Sequence, residues 1–358
     1  MSLENLLDQP LNSWMAGGGE EGDIVLSSRI RLARNMESTP FPNRANQLQL
    51  RSVVDESRLT LNRLNSMDNH KYLFIELEKL TPLERNVLVE KHIISPNHAQ
   101  EPEQRALIAR DDATVIIMIN EEDHLRIQCM MPGLNLLAAA ELASQIDDIL
   151  EERCTLAFTE QMGYLTSCPT NLGTGLRASV MVHLPALVLT RQISRIVGAA
   201  TQLGLAVRGL YGEGTEAVGN IFQISNQLTL GYSEQEIIAN LSSVVKQVVD
   251  QERAARTALM TDSKDALSDR VWRAFGVLRY ARSISGQEAL SMLSEVRLGI
   301  DLKIIDEVPG VVFNELLVIT RPNYLQKMAG REELEPGPRD RLRAQIIREK
   351  LKGGKSSC

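Results

Sequence analysis

Strand and helix periodicities alternate along the chain to residue 258, after which helical spacing takes over. LENLLDQPLNSWM predicts a short leading helix, and GGGEEGD a loop. IVLSSRIRLARN begins as a strand with Ile24 and Leu26 on one face, because side chains alternate along an extended backbone. RANQLQLRSVVDESRLTLNRL has apolar residues at helical spacing, and TPLERNVLVEKHIISP predicts a helix ending before Pro96. TVIIMIN and LRIQCMM are apolar runs joined by EEDH, the pattern of a hairpin or an adjacent strand pair. LNLLAAAELASQIDDILEER is rich in strong helix formers. LTRQISRIVGAATQLG is helical, and LAVRGLYGEGTEAVGNIFQISNQ is strand, glycine-rich loop and strand. YSEQEIIANLSSVVKQVVDQERAARTALM predicts a further helix, opened by a capping box of Ser233 and Glu236.

Beyond residue 258, SDRVWRAFGVLRYARS and SGQEALSMLSEVRLGID are amphipathic, the second with a capping box of Ser285 and Glu288. NELLVITRPNYLQKMAG is helical with a break near Pro322, and EPGPRDRLRAQIIREKLKGGKSSC runs from turn to helix to basic tail. The pattern predicts an α+β fold, a sheet with helices laid against it, followed by a small helical domain. The expected boundaries are 1–258 and 259–358. The rhythm of a doubly wound fold is missing.

Composition narrows the function without naming it. A net charge of −7 in 358 residues argues against a general nucleic-acid binder. No run of 18 apolar residues offers a membrane span, and the acidic N-terminus is unlike a secretory signal. Cys129, Cys154, Cys168 and Cys358 have no CxxC spacing. The expectation is a reduced, cytoplasmic protein without a structural zinc site.

The chemistry concentrates in four stretches. CPTNLGTGLRA sets Cys168 beside Pro169, with Gly173, Gly175 and Arg177 close behind. The bland reading is a turn with a buried thiol, since free cysteine usually acts as a small hydrophobe. Arginines recur at strand or loop boundaries: Arg29 and Arg31 in SSRIR, Arg126 in NEEDHLR, and Arg208 in VRGLYGEG. Arg29 and Arg31 are two apart, so a strand presents them on one face. Guanidinium groups suit phosphate oxygens through bidentate, charge-assisted bonds. GxxxxGK[ST], HRD and DFG are missing, and no GxGxxG dinucleotide fingerprint links a strand to a helix, so several arginines could hold a triphosphate without a P-loop. Glu121 and Glu122 lie in NEEDH, and Glu213 in YGEGTE. With a nearby thiolate, these acids would make a negative pocket for a substrate guanidinium.

Taken together and in order, SSRIRLAR, NEEDHLRI, CPTNLGTGLRA and RGLYGEG with NIFQISN resemble the phosphagen (guanidino) kinase family over residues 20 to 258. Within it the resemblance is to the bacterial branch that phosphorylates arginine in proteins. It implies an antiparallel sheet flanked by helices, with ATP and Mg²⁺ as cofactors. Ser28, Arg29, Arg31, His92, Arg126, Arg177 and Arg208 would bind ATP, although His92 also reads as a helix-surface histidine. Glu122 is the implied catalytic carboxylate, Glu213 holds the substrate guanidinium, and Glu121 assists magnesium through water. Cys168 matches the reactive active-site cysteine.

The family's small N-terminal helical domain has no counterpart before SSRIRLAR, which leaves a site open to a protein side chain. RDRLRA resembles the branch's phosphoarginine-binding motif, with Arg339, Asp340 and Arg343 as its residues. The resemblance also implies a homodimer or higher homo-oligomer in the cytoplasm, serving stress response and protein quality control. Implied partners are arginine-containing proteins, a zinc-binding activator, a transcriptional repressor and an ATP-dependent protease chaperone. The alternatives are a kinase of small guanidino metabolites and a non-enzymatic phosphoarginine-binding adaptor.

Overall fold

The structure, a computed structural model, describes residues 3–209 and 217–352. Glu213 and Cys358 therefore lie outside the described residues. Ten strands form in chain order: β1 (Val25–Arg34), β2 (Tyr72–Glu76), β3 (Ala106–Arg110), β4 (Val115–Ile119), β5 (Leu125–Pro132), β6 (Phe158–Thr159), β7 (Gly163–Tyr164), β8 (Leu176–His183), β9 (Leu205–Gly209) and β10 (Ile221–Asn226). Eight of them make one sheet in the order β2-β3-β4-β5-β1-β8-β10-β9, with every pairing antiparallel. β6 and β7 form a separate small hairpin.

One face of this sheet is apolar throughout. Ile30 and Leu32 of β1, Ile127 of β5, Val180 of β8 and Ile224 of β10 are buried in a single core. The helices Leu136–Glu151 and Glu234–Asp262 cover it with Ala139, Ala143, Ile146, Leu241, Val245 and Val249. The second helix opens with the reciprocal Ser233–Glu236 box read from the sequence. It continues without interruption past residue 258.

The opposite face has two parts. Met130, Met181 and Ile221 belong to a second core shared with Val271, Phe275, Leu290, Phe313 and Ile347 of the C-terminal helices. Ser294 ties the layers: its hydroxyl lies 2.8 Å from His183 Nε2 and accepts from Asn220 Nδ2 at 2.8 Å. The helical region is Lys264–Tyr280, Gly286–Asp301, Val311–Ile319, Pro322–Met328 and Pro336–Lys352, with the expected break before Pro322. At Gly286–Asp301 only half of the expected box forms, since Ser285 accepts from the Glu288 amide with no return bond. Among the described residues, no helix is long and apolar enough to cross a membrane.

Candidate active site

Strand register assembles the remainder of the second face. Arg31 of β1 stands opposite Arg177 of β8, and Arg29 opposite Ser179. On the other side Arg31 faces Gln128 of β5, which puts Arg126 on the same face two residues along. Gln223 of β10 pairs with Met181 of β8 and with Arg208 of β9. All five arginines, scattered over 180 positions of sequence, thus emerge on one side of the sheet from β5, β1, β8 and β9, with β10 between the last two.

Their environment is that of an anion site. Burial and the charges of Arg126 and Arg177 lower the Arg29 pKa to about 10. Burial and the neighbouring Arg29, Arg126 and Arg177 depress Arg31 further. Arg177 is lowered by burial, Arg208 and Arg126. Arg29 is steadied by Ser179 Oγ at 3.2 Å and Gln223 Oε1 at 2.7 Å. The Nε groups of Arg31 and Arg177 are buried with no partner among the described residues. Buried donors without acceptors are costly, and phosphate oxygens supply the missing acceptors.

The turn between β4 and β5 brings the acids to the edge of this cluster. Glu121 Oε2 accepts from Arg126 at 2.6 Å and from the Glu122 amide at 3.0 Å. Its Oε1 accepts from Ser95 Oγ at 2.5 Å. Burial raises its pKa, but Arg126, Ser95 and the Glu122 amide outweigh burial and hold it near 2. A carboxylate offers about four lone-pair sites. Three are taken, which leaves room on Oε1 for one water and fits the indirect magnesium role. The neighbouring Glu122 is exposed. Burial of its carboxyl, with the charges of Asp123 and Glu121, pushes its pKa up, while Arg126 and a hydrogen bond with Cys168 pull it down.

Cys168 is half-buried, with its sulfur 3.0 Å from Thr170 Oγ1. Burial pushes the Cys129 thiol up to about 12 and Cys154 up to about 11. The loop around Cys168 is fixed from several sides. Asp123 Oδ1 accepts from the Ser167 amide at 2.7 Å, and Thr229 Oγ1 donates to Leu172 O at 2.5 Å. Gly175 has φ +66, and a Cβ there would lie 2.6 Å from Arg34 Nη1 and 2.7 Å from Ala33 O. Only glycine fits that approach.

Two site expectations change. Ser28 lies on the opposite face from Arg29 and is fully buried, its hydroxyl donating to Gly133 O at 2.8 Å and accepting from Asn135 N at 2.9 Å. Its side chain positions the loop after β5 and does not enter the arginine cleft. His92 is not on a helix surface. The helix is Pro82–Glu90, and His92 follows it at φ 58. It sits edge-on to Trp14 at 6.2 Å, and burial with Arg29 and Arg321 lowers its pKa to about 3. A neutral imidazole beside Arg29 stands at the arginine face. Ser95, Asp123, Ser179 and Gln223 have no counterpart among the sequence candidates. Ser95 alone carried a local signal, as the residue before Pro96 at a helix start.

Arg339, Asp340 and Arg343 lie apart, on the helix Pro336–Lys352. Arg343 is 2 % exposed, ion-paired with Asp340, and donates to Thr320 O at 2.9 Å and Ile284 O at 3.0 Å. The Arg339 Nε is buried with no partner among the described residues.

A face of converging guanidinium groups bordered by carboxylates and a thiol fits an ATP-dependent phosphotransferase. Comparison with known proteins agrees. Residues 53–255 match the model of the ATP:guanido phosphotransferase C-terminal catalytic domain, and residues 264–357 the protein-arginine kinase McsB C-terminal domain. The chain belongs to the ATP:guanido phosphotransferase family. It is 52% identical over 351 residues to a protein-arginine kinase of Bacillus subtilis, covering 98% of this chain and 96% of that protein. A protein-arginine kinase of Brevibacillus brevis is 50% identical over 352 residues, with 98% of each chain covered. Among solved structures, lombricine kinase matches at a TM-score of 0.58 and 30% identity over 72% of each chain.

Proposed function

We propose that this protein transfers the γ-phosphoryl group of ATP to arginine side chains of proteins. The observation that carries the reading is the placement of Arg29, Arg31, Arg126, Arg177 and Arg208 on one sheet face with Glu122 and Cys168 at its edge. The relatives named as protein-arginine kinases over nearly their whole length support the protein substrate. A free guanidinium stays protonated near neutrality and is a poor nucleophile. Glu122, held above the ordinary carboxylate range, takes the proton as the guanidino nitrogen bonds to phosphorus and the bond from phosphorus to the bridging oxygen of ADP breaks. Cys168 steadies Glu122 and faces the same guanidinium. Glu213 would hold the other guanidino nitrogens. The arginines bear the charge of the transferring group.

Mg²⁺, when bound, neutralises phosphate charge, and Glu121 would reach it through water. The finer expectations form part of the same proposal. They are a cytoplasmic homodimer, a phosphoarginine pocket at Arg339, Asp340 and Arg343, and stress-response partners comprising a zinc-binding activator, a repressor and a protease chaperone.

The test incubates the protein with ATP, Mg²⁺, free arginine and an unfolded arginine-containing protein, with mass spectrometry under conditions that preserve N–P bonds. Phosphate is expected on protein arginines, and Glu122→Ala should cut single-turnover transfer by more than about tenfold. Phosphate appearing only on free arginine would overturn the substrate assignment. Normal transfer by E122A would remove its role as base.

A further inference from the structure

Next to Glu122 a cleft of about 690 Å³ opens between residues 42–50, the loop 100–105 and the end of β4. That volume lies within the roughly 300–1,000 Å³ of ligand pockets, so the cleft takes more than the guanidinium being phosphorylated. Glu101, Glu103, Glu121 and Glu122 line it against one cation, Arg105. Two of these charges are answered inside the protein: Arg126 lies 2.6 Å from Glu121, and Arg105 lies 2.8 Å from Glu101. Glu122 is engaged by the reaction. Glu103 is exposed and has no ion-pair partner among the described residues.

A second observation does not depend on charge. Asn120 forms part of the cleft wall, is 1 % exposed, and has φ 58. Its Nδ2 donates to Leu50 O at 2.9 Å and to Gln104 O at 2.8 Å, tying the two sides together. Its Oδ1 has no partner among the described residues, and neither does Ser167 Oγ in the same cleft. A buried amide whose donors are both used and whose acceptor is empty is matched by a ligand rich in N–H groups. Lysine and arginine side chains carry donors and no acceptors. A negative cleft focuses its field on such a cation.

We infer that this cleft is a subsite for a lysine or arginine side chain neighbouring the target arginine in the substrate polypeptide, with Glu103 as its charge partner. The inference rests on the protein-arginine reading above. It makes the enzyme selective for arginines in basic stretches of sequence. The cleft wall sets that selectivity, separately from the groups that carry out transfer.

The experiment uses the full chain and three peptides, each with one target arginine flanked on both sides by lysine, alanine or glutamate. Initial rates of phosphoarginine formation give kcat/KM for each. The lysine-flanked peptide is expected to exceed the alanine-flanked one by at least about fivefold, mainly through KM, and to lose that advantage at high salt. Glu103→Gln should bring the two values together, and Glu103→Lys should make the glutamate-flanked peptide the better substrate. Equal kcat/KM for all three peptides, or a lysine preference unchanged in E103Q and E103K, overturns the subsite while leaving protein-arginine transfer intact. Failure to phosphorylate any peptide or unfolded protein overturns the protein-arginine reading, and the subsite with it.

Discussion

Replacing Gly175 by alanine tests how the Cys168 loop is held against β1. Two costs follow from the structure. An L-residue at φ +66 pays the left-handed penalty of about 1–2 kcal/mol. The new methyl then meets Arg34 Nη1 at 2.6 Å and Ala33 O at 2.7 Å. Neither can retreat. Arg34 is fixed by Asp147 through bonds of 2.6–3.1 Å and by Thr174 O at 3.0 Å, and Ala33 is part of the central strand. Overpacking of this kind costs about 1–3 kcal/mol. The sum is about 2–5 kcal/mol, within the roughly 5–15 kcal/mol of a typical fold, so G175A should remain folded in buffer.

Gly204 supplies the control. It has φ +75 with nothing within 4 Å of the added Cβ, so G204A carries only the backbone penalty. Urea unfolding of both variants isolates the clash as their difference. Displacement of the segment also moves Arg177 and Cys168, and a misplacement near 1 Å costs about a hundredfold in rate. Single-turnover transfer should therefore fall steeply in G175A and stay close to parental in G204A. If G175A is no less stable than G204A, or transfers phosphate at the parental rate, the close approach is not what positions the loop.

Two further outcomes follow from the site. Glu122 must be deprotonated to act as base, and its pKa is raised, so the acid limb of kcat/KM should lie above the ordinary glutamate range; because the Cys168 hydrogen bond lowers that pKa, Cys168→Ala should move the limb to still higher pH, and a limb that stays put or moves down would refute the contact. At the C-terminal helix, Arg339→Ala should weaken binding of phosphoarginine far more than of arginine in calorimetry, since Arg339 contributes an unanswered donor there while Arg343 is already bonded to Asp340; equal affinities for the two ligands would defeat the pocket.

Local pattern carried the elements better than their assembly. The β4–β5 hairpin, the Ser233 box and the break at Pro322 all follow from short-range rules, and all form. The strands β2 and β3 left no reading, although they complete the sheet edge. Arg29 and Arg31 could be assigned to one face from their spacing alone. Placing Arg126, Arg177 and Arg208 there needs the register of four strand pairings, which no local pattern specifies. Contiguity misled at Ser28, whose neighbour Arg29 points the other way by the same alternation. At His92 the helical spacing continued beyond the point where the backbone turns to positive φ. Ser95, Asp123 and Gln223 are ordinary polar residues in sequence, and become functional only through partners 26, 44 and 194 positions away.

The crowding of Arg29, Arg31, Arg126 and Arg177 has a consequence for the protein at rest. Arg29, Arg126 and Arg177 each lower the pKa of Arg31, while Arg29 remains cationic at neutral pH even with a pKa near 10. The ligand-free protein thus carries an internal repulsion that Glu121, ion-paired with Arg126, relieves only in part. Binding of a polyanion to the folded state discharges it, and by linkage that state gains stability as the nucleotide concentration rises. Cellular ATP then acts as a folding ligand as well as a substrate. A lineage selected for thermal endurance alone would be drawn to dilute this cluster, and would lose phosphoryl transfer in doing so.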